Sequence, residues 1–338
     1  VEHHRALRVG VLGWIGRGNV GDELLRAAIC NQIQAAGAEP VPLSGTLTPR
    51  TAAGLHGLII GGGSLLDGPP DIDPSIDMAY MPLAYVSVGL ETSIHHGHHE
   101  LLKRARLVVH RSSVARGDQI KQQLGITDAW VSLPDAVFTL PSFRAVQNSS
   151  WASSKRLLVL PNVETVPDHT GPHWSHVGWE LFKNEFAQFL DDIVADGWLP
   201  EFVGCCLNPY QDDAWPAAEI IGRMRNRRTQ FLRGKTLSTL STVATATISS
   251  YRAVISQRFH GAILSRMANV PCLSIHHHDK LRPDEHFQPT AAVPFNAISK
   301  ADLHVAFRKL LLSGEQYVPP TDGYDAAVRS FIDGLEVK

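Results

Sequence analysis

The stretch "VGVLGWIGRGNVGDELLRAAI" (residues 9–29) places Gly16, Gly18 and Gly21 in a G-x-G-x-x-G spacing between an apolar run and a helix-like pattern. Such a loop turns a strand into a helix and lets backbone N–H groups face a phosphate. A dinucleotide fingerprint asks for more: a strand ending at the first glycine, room for a diphosphate at the helix start, and an acidic residue closing the second strand. Here the apolar run ends near Gly13, and the second strand closes on Leu43-Ser44 with Glu39 ahead of it. Asp22 and Glu23 stand on the helix N-terminus, where carboxylates suit the helix dipole but repel a diphosphate. The loop therefore reads as a strand-to-helix turn of an α/β fold, not as an NAD site.

Working outward, short apolar runs alternate with amphipathic stretches. The predicted strands of the first half are 7–13, 40–44, 57–63, 84–89, 106–111 and 129–135, with helices over 22–37 and 98–105 among them. The Ser-, Asn- and Pro-rich segment 141–156 breaks this rhythm. A second series follows, with strands at 157–162, 201–206, 229–234, 252–257 and 271–276. In the helix predicted over 179–197, Leu181, Phe182, Phe186, Phe189, Leu190 and Ile193 form the expected apolar stripe. Alternating β and α elements imply parallel sheets covered on both faces. The expected fold class is α/β, two Rossmann-like doubly wound domains facing across a cleft, of GT-B type. The expected domains are 1–145 (acceptor side) and 155–312 (donor side), with 313–338 a C-terminal helix packing back on the first domain.

At 338 residues the chain has the length for two domains. Its 31 basic and 33 acidic side chains are interspersed, with a formal net charge of −2, so no face is advertised for nucleic acid. No apolar run approaches the roughly 20 residues of a membrane span, and no signal peptide opens the sequence. Cys30, Cys205, Cys206 and Cys272 lack metal or disulfide spacing. The expectation is a soluble cytoplasmic protein with reduced thiols and no metal. Histidine is abundant, 17 in all, with clusters at His95–His99 and His276–His278. Neither cluster sits at clean i, i+4 spacing on a predicted helix, so polar loops or substrate contacts are the expected roles.

Five segments, in order, carry a resemblance. Asn19-Val20-Gly21-Asp22-Glu23 resembles the N-x-G-D-E opening of the polysaccharide pyruvyl transferase family. "LIIGGGSLLD" (58–67) resembles its glycine-rich strand end, and "LVVHRSSVARGDQIKQQLGI" (107–126) its arginine at a strand end. "VSLPDAVFTL" (131–140) resembles its Pro-Asp segment. "VISQRFHGAILSRMANVPCLSIHHHDK" (254–280) resembles its R-[FY]-H turn, Val-Pro strand and distal lysine. The sequence departs from the pattern at Ser112, Ser113 and Ala115, in the loop "SVGLETSIHHGHHE", and at "HHHD" before Lys280.

The resemblance implies transfer of the pyruvyl group of phosphoenolpyruvate to a sugar as a cyclic ketal, with phosphate released and no further cofactor. The implied partners are phosphoenolpyruvate and a glycan or lipid-linked sugar; the latter would bring the enzyme to a membrane surface without an anchor. The donor is doubly anionic, and arginine forks suit both its groups. The expected donor site is Arg111, Arg258, His260, Gly261 and Lys280. His260 is expected either to give a proton to the methylene carbon of the donor or to protonate the departing phosphate, since an imidazole titrates near neutral pH. Arg258 and Asp22 complete the expected catalytic set, with Asp22 or Glu23 as base. Asn19, Gly21, Asp22, Glu23, Gly62 and Gly63 form the expected acceptor side. Two alternatives stand beside this: a GT-B glycosyltransferase using a nucleotide sugar, and a non-catalytic sugar-binding protein.

Overall fold

The computed structural model describes residues 7–63, 65–90, 94–127, 130–145, 155–162, 176–208, 211–226, 229–276, 283, 286–295, 298–314, 316 and 318–335. The chain divides into two compact units. The first comprises Val1–Arg17, Asp22–Leu140 and Pro319–Lys338, and the second Gly18–Gly21 and Pro141–Val318.

In the first unit the elements run β1 (Arg8–Gly13), α1 (Val20–Ala35, its first two residues counted with the second unit), β2 (Glu39–Ser44), α2 (Pro49–Ala52), β3 (Gly57–Gly63) and β4 (Leu83–Val88). They continue with α3 (His96–Arg104), β5 (Leu107–His110), α4 (Val114–Leu124) and β6 (Trp130–Ser132). The six strands form one parallel sheet in the order β2-β1-β3-β4-β5-β6. Every residue of β3 and β4 is buried, as a parallel sheet covered on both faces demands. Side chains alternate across it: Leu58, Ile60 and Tyr85 enter one cluster with Leu102 and Ile120, whose helices cover that face.

The second unit runs β7 (Arg156–Leu160), α5 (His176–Ala195), β8 (Leu199–Gly204), β9 (Leu207–Asn208), β10 (Gln211–Asp212), α6 (Ala214–Arg223) and β11 (Gln230–Thr236). It continues with α7 (Ser241–Ile248), β12 (Ala253–Ser256), α8 (Phe259–Met267), β13 (Cys272–His276), β14 (Ala291–Pro294) and α9 (Lys300–Leu311). Its parallel sheet has the order β11-β8-β7-β12-β13-β14, and β9 and β10 form a small antiparallel hairpin. Phe182, Phe186, Phe189, Leu190 and Ile193 of α5 pack with Leu157, Val159, Phe202 and Ile255 of the sheet. Leu181 departs from the expected stripe. It is 59% exposed, while Trp179 takes the buried place one turn before Phe182, since one residue turns a helix by 100°. The last helix, α10 (Gly323–Asp333), belongs to the first unit. No helix of the described residues is long and apolar enough to cross a membrane.

Both sheets reverse their strand order once. In the first the reversal falls between β1 and β3, and in the second between β7 and β12. Open α/β sheets bind ligands beyond the carboxyl ends of the strands at such points.

Candidate functional site

In the first unit the β1 and β3 ends carry the glycines. Gly16 has φ +77°, and its N–H donates to Glu23 Oε1. Glu23 is buried and also pairs with Arg26 at 3.0 Å, so its carboxylate closes the loop from the first turn of α1. Gly62 and Gly63 have φ of +89° and +82°, a region L side chains rarely adopt. A Cβ on Gly62 would lie 3.0 Å from Leu25 Cβ, and one on Gly63 3.0 Å from Asp22 Oδ1. These glycines let α1 lie close on β3, and Asp22 sits over Gly63. Arg111 follows β5 and is buried. Its Nη1 donates to Asp135 Oδ2 at 2.7 Å, while Asp135 Oδ1 accepts from Val137 N–H at 2.9 Å. Asp135 was quoted in the Pro-Asp segment but not among the expected site residues.

In the second unit the turn from β12 into α8 holds Arg258, His260 and Gly261 at the β7/β12 reversal. Ser256 Oγ shapes the turn, accepting from Arg258 N–H at 3.1 Å and donating to Arg258 O at 2.7 Å. Gly261 is fitted tightly, since a Cβ would meet Leu160 Cδ1 at 2.5 Å and Ser256 Oγ at 2.6 Å. Arg258 is the N-cap residue of α8 and makes no side-chain bond to its first turn. Its guanidinium instead forks onto Asp213, Nε to Oδ2 at 3.1 Å and Nη2 to Oδ1. Across the reversal, Asn162 N–H donates to Gln257 Oε1 at 3.3 Å.

Residues Gly18–Gly21 of the glycine loop belong to this same unit. Val20 N–H donates to Cys205 O at 2.9 Å, Asn19 makes an antiparallel bridge to Cys206, and Asn19 Oδ1 accepts from Gly21 N–H at 3.0 Å. The ring of His260 lies directly against Gly21, whose Cβ would stand 2.0 Å from Nδ1. Asn19, Gly21, Arg258, His260 and Gly261 thus come together here. Glu23, Asp22, Gly62, Gly63 and Arg111 lie in the first unit. Lys280 and His277–His278 lie outside the described residues.

The His95–His99 cluster has local work. His95 Nδ1 accepts from Gly97 N–H at 3.1 Å and starts α3, while His99 Nε2 bonds Ile94 O at 3.1 Å. His98 is buried, bonded through Nδ1 to Tyr85 Oη at 2.9 Å, and burial pulls its pKa down to about 4. Among the described residues no group of three or more His, Cys, Asp or Glu could hold a metal ion.

Asp213 is the residue sequence reasoning missed. It lies 45 positions before Arg258 in "NPYQDDAW" (208–215), where an aspartate ahead of a helix reads only as a cap. Geometry alone gives it a second role.

The fold is that of two doubly wound parallel sheets, shared with UDP-GlcNAc 2-epimerases. The chain is similar to the Methanocaldococcus jannaschii UDP-GlcNAc 2-epimerase in complex with UDP-GlcNAc and UDP, at 12% identity and TM-score 0.59, over 97% of this chain and 99% of that one. It is likewise similar to S. aureus MnaA with UDP (10% identity, TM-score 0.57, 95% and 94% covered). The Rickettsia bellii UDP-N-acetylglucosamine 2-epimerase gives 10% identity and TM-score 0.55, over 97% and 95%. No protein-family model and no curated protein matches the chain. These findings overturn the resemblance to polysaccharide pyruvyl transferases: no family model supports it, and the neighbours in fold are sugar-nucleotide epimerases.

Proposed function

We propose that the chain is an enzyme acting on a nucleoside diphosphate sugar, with the diphosphate seated at the amino end of α8. The observation that carries this reading is the position of Arg258–Gly261 at the order reversal of the second sheet, where α8 begins. Helix N-termini offer N–H donors and a partial positive charge, which suits a diphosphate. The neighbouring structures with UDP or UDP-GlcNAc point the same way. Because the Arg258 fork is engaged with Asp213, the helix start takes the larger share of the anion. His260 is then the group to give a proton to the departing diphosphate oxygen. In this reading the sugar passes to a glycan or lipid-linked acceptor. The epimerases among the fold neighbours favour a second outcome, inversion within the sugar of the same nucleotide.

The test is a thermal-shift and calorimetric panel of UDP, UDP-GlcNAc and NAD, followed by proton NMR of UDP-GlcNAc with and without glycan acceptors. UDP at a hundred times its Kd is expected to add about 2.7 kcal/mol of stability, and NAD none. Turnover is expected to fall at least a hundredfold in His260→Ala. Absence of binding by any nucleoside diphosphate would overturn the proposal.

A further inference from the structure

Asp213 occupies the N-cap position of α6 yet makes no side-chain bond to that helix. An N-cap aspartate ordinarily stabilises its helix by about 1 kcal/mol. Here the neighbouring Asp212 supplies the bond instead, accepting from Ala214 N–H at 2.8 Å. The Asp213 carboxylate, fully buried, turns the other way. Its Oδ2 accepts from the N–H groups of Cys205 and Cys206, both at 2.9 Å, and from Arg258 Nε at 3.1 Å, while Oδ1 takes Arg258 Nη2. The backbone closes the same loop, Asp213 N–H donating to Cys206 O at 2.9 Å. One carboxylate therefore ties two turns together, the one after β8 and the one after β12. The Cys205–Cys206 turn in its turn holds Val20 and Asn19, and through them sets Gly21 against the His260 ring.

We propose that Asp213 is the positioning residue of this site: by holding the Arg258 fork and the Cys205–Cys206 turn on one buried carboxylate, it fixes where the Asn19–Gly21 segment and His260 meet. A buried charge pair costs desolvation and is a weak device for stability alone. A bidentate fork with two added backbone donors is, however, a stiff device for geometry. Asp213 touches no substrate in this account and acts through Arg258 and His260. Its consequence for ligand binding rests on the nucleotide reading above.

The test replaces Asp213→Asn, which keeps the shape and one acceptor oxygen but removes the charge facing Arg258. Two measurements are made well below the melting temperature. One is the His260 Cε1–H resonance, assigned by comparison with His260→Ala; the other is the Kd for UDP. The expected result is a displaced His260 resonance and a Kd weakened at least tenfold, in a protein of native circular dichroism. Arg258→Lys, which keeps the charge and loses the fork, is expected to move both in the same direction by less. If Asp213→Asn does not fold, Arg258→Lys decides alone. An unmoved His260 resonance, or a Kd unchanged or tightened in a folded variant, overturns the proposal, since a purely structural role would lower the melting temperature only. Should wild type bind no UDP while the His260 resonance still moves, the nucleotide reading falls and the positioning role stands.

Discussion

Gly21 has an ordinary backbone dihedral, so its missing side chain answers a neighbour and not a strained angle. A Cβ there would stand 2.0, 2.6 and 2.8 Å from Nδ1, Cγ and Cε1 of His260, so the whole ring would have to leave. Overpacking of this kind costs about 1–3 kcal/mol. Gly21→Ala is therefore expected to lower the melting temperature by a few degrees and to weaken UDP binding about tenfold; equal affinity in calorimetry would show that the ring position does not matter to the ligand. His98 poses a different residue-scale question. Its imidazole is buried against Tyr85 and titrates at about 4, below its usual 6.5, because burial disfavours the charged form. Unfolding releases that penalty, so the unfolded chain binds the proton first. The stability this contributes is complete above pH 6.5 and is lost as pH falls from 6.5 towards 4. His98→Asn, which can keep a bond to Tyr85, is expected to flatten that part of the stability profile by about 2 kcal/mol. Urea midpoints at pH 7 and pH 4.5 measure it, and equal losses in both proteins would contradict the assignment.

Between elements, the controlling fit is α1 on β3. A Cβ on Gly61 would lie 2.4 Å from Ile29 Cδ1 and 2.9 Å from the Val86 carbonyl, the second a backbone atom of the neighbouring strand. Gly61→Ala must therefore displace the tip of Ile29 and press on the β3–β4 ladder at the Val86 carbonyl. A loss of about 1–3 kcal/mol in denaturant unfolding is expected, the usual cost of overpacking; a loss under about 0.5 kcal/mol would mean the strand pair has slack at this position. Much of this level was legible beforehand. All eleven strand runs named from apolar continuity appear in the two sheets, most plainly β3 and β4, which are buried along their whole length. What escaped has physical reasons. β14 is an edge strand of only four residues, "AAVP", too short to stand out as a run, and the β9–β10 hairpin has two residues a side. Strand order left no trace in the sequence either, since a parallel neighbour is chosen by a crossover, not by local pattern. The turn of Arg258 and His260 was visible as a motif. Its anchor Asp213 was not, because the contact joins residues 45 apart through tertiary geometry.

At the scale of the whole molecule, each unit has its own sheet and its own core, but neither is one continuous piece of chain. The first unit is completed by the last twenty residues. There Tyr324, Val328, Phe331 and Ile332 of α10 are buried, and Tyr324 Oη donates to Pro134 O at 2.6 Å, a bond in surroundings that push its phenol pKa well up. Arg106 Nη1 donates to Gly334 O at 2.8 Å, and Arg329 Nη2 to Ala35 O at 2.9 Å. Burying one large apolar side chain is worth about 1.5–3 kcal/mol, so four of them amount to a large part of the 5–15 kcal/mol a domain has in total. A chain ending at Val318 is accordingly expected to lose cooperative structure in the first unit and keep it in the second, whose core contains no residue beyond Leu311. Hydrogen exchange read by mass spectrometry separates the two: peptides from β1, β3 and β5 are expected to exchange within seconds, while those from β7, β12 and β13 stay protected for hours. Protection of β1 and β3 undiminished by the truncation would show that α10 lies on a unit already stable without it.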